Sequence, residues 1–349
     1  MHALLGATLL LVLFTFAGDV QHDTLRVASA PVAVVSDTCR VELLALGDIN
    51  LGRRVGRILL TGDTLHPFVN VAPELARHDI VFANLECPVS EQGGLTEHPR
   101  NNLIFTAPPV AAWSLLRGGV TVVSTANNHA LDFGAGAARE TLRWLDSVGI
   151  AYAGSATPAG DVYRPAVIIR NGIKIALFAV TDFVNGSPRG WEHVVAPADT
   201  GRLFPRLRVW QDSADFRILS YHGGDEYTGR APERVRAFMR ASLAAGADLV
   251  LGHHPHVPHG LERRGDKWIA HSLGNFVFRQ PGKFWAEHAI ALSVTVEKAD
   301  SVCRVGRIRV LPVRCDFQPS WLAPGPEFDK VRARISALSS DGVEEFVQW

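Results

Sequence analysis

Residues 247–256 read ADLVLGHHPH, an apolar run, a glycine, and then three imidazoles in four positions. A short apolar run closed by turn residues fits a buried strand. In α/β sheets the carboxyl ends of such strands are where ligands collect. His254 and His256 lie two apart with a stiff proline between them, so both can reach one centre.

Four further apolar runs end in the same way. The run 41–46 (VELLAL) leads to Gly47-Asp48, with Asn50 and Arg53 close behind. The run 79–83 (DIVFA) leads to Asn84-Leu85-Glu86, and 120–125 (VTVVST) leads to Ala126-Asn127-Asn128-His129 and then Asp132. The run 216–221 (FRILSY) leads to His222-Gly223-Gly224-Asp225-Glu226, where the glycines leave a ligand room to approach. Taken singly, each residue has an ordinary explanation: Asp48 as a turn residue, Glu86 as a solvated charge, any one histidine as a hydrogen-bonded core residue. Repetition after five separate strands favours one shared site.

Between these runs lie amphipathic stretches at 67–77, 109–117, 135–148 and 232–245, with Pro67, Pro109 and Pro232 near three helix starts. Further strands are expected at 164–170 and 173–180. From residue 268 the pattern changes to successive strands with turns such as Lys298-Ala299-Asp300 between them, which predicts antiparallel hairpins. The class is α/β. The chain divides most simply into a leader at 1–30, one domain over 31–315 and a tail at 316–349.

The 349 residues are 47% hydrophobic, enough for a large core. Lys plus Arg and Asp plus Glu both number 35, without long blocks of either sign, which argues against nucleic-acid binding. Residues 3–17 (ALLGATLLLVLFTFA) are too short for a comfortable membrane span but suit a secretory leader, although Met1-His2 lacks the usual basic residue. Cleavage after Ala17 or after Ala30 fits equally, and the mature protein is expected to be exported, either secreted or membrane-associated. In an oxidising compartment Cys39, Cys87, Cys303 and Cys315 allow three pairings, among which the sequence does not choose.

The motifs GDINLGR, ANLE, ANNHALDFG, YHGGDEY, GADLVLGHHPHV and SLGNFVF, in that order over residues 41–280, resemble the CapA family, which is associated with capsule and poly-γ-glutamate synthesis. Their carboxylate, carboxylate, Asn-His, His, His-x-His order is also similar to that of the metallophosphoesterases. The resemblance implies a four-layer α/β/β/α sandwich with two mixed sheets. It further implies a two-metal site of Mn, Fe or Zn, in which Asp48, Asn50 and His256 serve the first ion and Glu86 bridges. Asn128, His222 and His254 complete the second. His129 would act as general acid, and Arg53 and Glu226 would hold substrate, while His253 and His259 would point elsewhere. Asn50 stands where the phosphoesterases have a histidine, and an amide oxygen is the weaker ligand for a transition metal. Glu86 replaces an aspartate, Gly223 the Trp of the CapA motif and His271 a common Tyr.

Three activities are compatible with this reading. One is a metal-dependent, phosphoesterase-like hydrolase acting on a phosphoester or anionic polymer. Another is a non-catalytic accessory of a membrane-bound exopolymer synthase. The third is a γ-glutamyl amide hydrolase or ligase.

Overall fold

The computed structural model describes residues 39–156, 160–339 and 345–348. The expected leader at 1–30 lies outside the described residues. In chain order the first strands are β1 (Cys39–Ile49), β2 (Ile80–Leu85), a small hairpin of β3 (Glu97–His98) and β4 (Asn101–Phe105), β5 (Val122–Ser124) and β6 (Ala151–Ala153). There follow β7 (Ala166–Arg170), β8 (Ile173–Thr181), β9 (Phe216–His222), β10 (Leu249–His253), β11 (Leu261–Arg264) and β12 (Lys267–Ala270). The last are β13 (Asn275–Val277), β14 (His288–Ala299), β15 (Val302–Arg314) and β16 (Ser320–Trp321). The helices are α1 (Arg53–Leu60), α2 (Ala72–Leu75), α3 (Val110–Gly118), α4 (Gly134–Val148), α5 (Thr200–Val209), α6 (Glu233–Ala245) and α7 (Pro326–Leu338).

Two mixed sheets form the centre. One runs β16-β15-β14-β1-β2-β5-β6, with β13 alongside β1, and the other runs β11-β12-β10-β9-β8-β7. The strands that carry the site are parallel: β1, β2 and β5 in the first sheet, β9 and β10 in the second. Continuous apolar runs are what strands covered on both faces require. On β1 the alternation assigns the faces. Val41, Leu43 and Ala45 pack between the sheets with Ile175, Leu177, Ile218 and Leu251, whereas Leu44 and Leu46 pack outward against Val55, Leu59 and Leu115 of α1 and α3. On the far side of the second sheet, Leu203, Leu207, Met239 and Leu243 of α5 and α6 cover Phe178, Leu219 and Val250. These three apolar clusters make the expected four layers, helix–sheet–sheet–helix.

The segment from His271 to Phe278 stitches the sheets together. Leu273 N–H donates to Gly252 O in the second sheet, and Gly274 O accepts from Asp48 N–H in the first. The residues past Cys315, expected as a tail, contribute β16 and α7 to the same compact unit, with Phe328, Val331 and Ile335 of α7 buried in the core between the sheets. All four cysteines are free thiols. Among the described residues no helix is long and apolar enough to cross a membrane.

Candidate metal centre

Because the site-bearing strands run parallel in both sheets, their carboxyl ends deliver side chains to one edge of the sandwich. Asp48, Glu86 and His222, from β1, the turn after β2, and β9, are fully buried and each offers a ligand atom within 4.8 Å of the others. Asn84, two residues before Glu86, ties all three together. Its amide nitrogen lies 2.9 Å from Asp48 Oδ1, 3.2 Å from His222 Nδ1 and 3.5 Å from Glu86 Oε2. Its amide oxygen accepts from Asn127. His256, held by its Nδ1 to Asn275 Oδ1 at 2.9 Å, reaches 3.5 Å from Asp48 Oδ2 and 3.7 Å from Glu86 Oε1. Asn128 Oδ1 and His222 Nε2 stand 2.8 Å apart. His254, whose ring centre is 5.0 Å from that of His222, is buried with its Nδ1 unpartnered.

The two carboxyls are driven in opposite directions. Burial raises both, but at Asp48 the hydrogen bond from His253 and the nearby His256 imidazole overcome it and hold the group well below its ordinary value. At Glu86 the Asp48 charge adds to burial and lifts it well above. Burial also depresses His222, and takes His254 down to about 4, so both imidazoles keep a lone pair at neutral pH. Asp48 Oδ2 and Glu86 Oε1 have no hydrogen-bond partner although buried. Leaving such oxygens unsatisfied is costly, and a divalent cation is the group that satisfies two carboxylate oxygens and imidazole lone pairs at once. The donor set, mixed oxygen and imidazole nitrogen, suits a first-row transition metal.

His129 stands beside this cluster, its Nε2 3.9 Å from Glu86 Oε1. Its Nδ1 donates to Asp132 Oδ2 at 2.7 Å, and the same oxygen accepts Phe105 N–H. The ring of Phe105 stacks on the imidazole with centroids 4.1 Å apart, and Asn185, which accepts from Asn128 Nδ2, donates from its own Nδ2 to Asp132 Oδ1 at 3.4 Å. The His129 face opens into a cleft of about 550 Å³ whose walls include Arg53, Glu226 and His256. Arg53 donates from Nε to Asn102 O and lies over Phe105, while Glu226 is exposed at the rim.

The structure differs from the sequence expectations at two residues. The Asn50 amide oxygen accepts Gly52 N–H at 2.9 Å at the start of α1, which commits it locally rather than to the carboxylates. His253, expected to point away, is fully buried with its Nδ1 3.1 Å from Asp48 Oδ1. His259 does lie apart, with its Nε2 on Thr228 O. Sequence reasoning missed Asn84, His253 and Asp132 as members of the site. For Asp132 the signal was present, since it follows His129 by three residues in a tight turn.

A family model described as "Bacterial capsule synthesis protein PGA_cap" matches residues 42–280. The chain belongs to this family. Relatives in the capsule synthesis family include "Capsule biosynthesis protein CapA" of Bacillus anthracis, 30% identical over 253 residues covering 69% of this chain. The chain spans 60% of the length of that relative. "PGA biosynthesis protein CapA" of Bacillus subtilis is 30% identical over 78% of this chain and 70% of its own length. Among solved structures, a phosphatase from Mycoplasma pneumoniae is similar at a TM-score of 0.48 and 14% identity, over 79% of this chain and 94% of its own. The calcineurin-like phosphoesterase YfkN from Bacillus subtilis is similar at 0.41 and 15% identity, over 79% and 90%.

Proposed function

We propose that this capsule synthesis protein is an exported, metal-dependent hydrolase that cleaves a phosphoester or an anionic polymer in the course of exopolymer synthesis. The observation that carries the reading is the convergence of Asp48, Glu86, His222, His254 and His256, with two orphaned carboxylate oxygens, beside a histidine held by its own aspartate. Asp48, Glu86 and His256 would hold one ion, and Glu86, Asn128, His222 and His254 a second. Bound there, Mn, Fe or Zn would supply Lewis-acid polarisation and neutralise charge developing on the substrate.

The remaining work falls to the protein's own groups. Asp132 accepts from His129 Nδ1, which fixes the tautomer and leaves Nε2 as the nitrogen that faces Glu86 and the cleft. Phe105 sets the plane of the ring by stacking on it. In its doubly protonated form, held by Asp132, His129 would give its Nε2 proton to the leaving group and return to the Nδ1–H tautomer, and Arg53 and Glu226 would flank the substrate in the cleft. The interlocked amides of Asn84, Asn127, Asn128 and Asn185 keep these groups in register.

Turnover of phosphomonoesters, phosphodiesters and γ-glutamyl peptides by the metal-loaded protein tests the reading. His129→Asn is expected to keep its metal and its stability while losing ~10²- to 10⁴-fold in rate on a substrate with a poor leaving group, and less on an activated aryl ester. Parallel loss of metal and activity would remove the general-acid role. No turnover on any of the three classes would leave the accessory role in a synthase complex.

A further inference from the structure

A second groove, of about 310 Å³, adjoins the metal-centre cleft, and Arg53 and Phe278 line both. It exists because β13 pairs with the end of β1, with Asn50 N–H donating to Val277 O, so that the chain leaving β13 emerges beside the first turn of α1. Arg279 thereby lines the same groove as Arg54, and Arg57 follows one turn later on the same helix.

The charges in this groove are unbalanced. Arg57 pairs with Glu97 at 2.8 Å and Arg279 with Asp316 at 3.6 Å, whereas among the described residues Arg54 has no carboxylate within 4.0 Å. The guanidinium groups of Arg54 and Arg279 both lie over the ring of Phe317, at 5.4 and 5.7 Å from its centre. Both arginines line the groove, so an anion entering it meets two positive charges. An independent observation points the same way. Asn50 is 5% exposed, its oxygen is taken by Gly52 N–H, and its Nδ2 is a buried donor without an acceptor in the wall of the groove. Guanidinium and amide donors together select an oxyanion.

We propose that this groove is a second oxyanion subsite, so that the substrate is a chain bearing several carboxylates or phosphates, with one group at the metal centre and a neighbour held between Arg54 and Arg279. The proposal rests on the reading of the adjoining cleft as a substrate site.

The test is fluorescence anisotropy on the full chain with two labelled probes, a hexaglutamate peptide and a linear tripolyphosphate, each with and without chelator. Arg54→Gln/Arg279→Gln is expected to weaken at least one probe roughly tenfold or more and to leave metal content unchanged. A control pair on α4, Arg139→Gln/Arg143→Gln, removes the same formal charge and should change affinity less than about twofold. The probe that responds identifies the oxyanion as carboxylate or phosphate. Equal losses in both double variants, or none in the groove variant, would overturn the subsite. If the protein retains no metal and turns nothing over while the groove variant still loses probe binding, the hydrolase reading fails and the subsite stands. Turnover with unaltered probe binding in the groove variant has the reverse meaning.

Discussion

At Asp48 the two oxygens of one carboxylate have different surroundings. Oδ1 receives Asn84 and His253, while Oδ2 has no hydrogen bond and faces His256. A carboxylate pinned through one oxygen presents the other in a fixed direction, which is how outer hydrogen bonds tune metal affinity. His253→Phe preserves a flat ring beside Phe82 and removes the Nδ1 contact. It is expected to raise the metal dissociation constant ~10- to 100-fold while the protein stays folded. Titration of chelator-treated protein with Zn or Mn, alongside circular dichroism, checks this, and an unchanged constant would remove the orienting role. The ligand types were legible in the sequence because each follows a strand of obvious pattern. The residues that orient them were not, because Asn84–Asp48 and His253–Asp48 are contacts between strands 36 and 205 positions apart.

At the level of elements, two glycines make the site possible. A Cβ on Gly47 would stand 2.1 Å from Gly274 O, and one on Gly252 would stand 2.2 Å from His271 O. Each glycine precedes a site residue and lets the segment 271–278 pass between the sheets against backbone rather than side chain. Because the obstacle is a backbone carbonyl, it cannot swing aside as the end of a side chain could. Gly47→Ala is expected to cost about 1–3 kcal/mol, read by urea unfolding, and to weaken metal binding by displacing Asp48; a cost within about 0.5 kcal/mol would contradict this account. The parallel strands and most helices followed from periodicity alone. Three helices did not. α1 has the short sequence RRVGRILL with a glycine inside, α5 carries Pro205 within its span, and α7 lies in the stretch expected as a tail although Phe328, Val331 and Ile335 recur with helical spacing.

Across the whole molecule, the histidines that make the site also make the fold sensitive to acid. Burial takes His259, outside the metal cluster, down to about 4, as it does His254. A histidine whose folded value lies below its unfolded value of about 6.5 favours folding fully above that pH. The unfolded chain takes up protons first as pH falls, so stability is lost between about 6.5 and about 4 and the loss then levels off. Chelator-treated protein should therefore unfold at lower urea at pH 5 than at pH 7.5. His259→Gln, although less stable at pH 7.5 because the Thr228 contact is disturbed, should show a smaller difference between the two pH values by on the order of 1 kcal/mol. An identical pH difference in variant and parent would show that His259 does not contribute.

The central claim, that five strand ends build one metal centre, is tested most directly by the metal content of the purified full chain after dialysis against Mn, Fe(II) and Zn, measured by mass spectrometry. One to two ions per chain are expected, retained through gel filtration, with occupancy collapsing in the folded Asp48→Asn/Glu86→Gln double variant. Parent protein that emerges free of metal, or a double variant that holds as much as the parent, would contradict the claim.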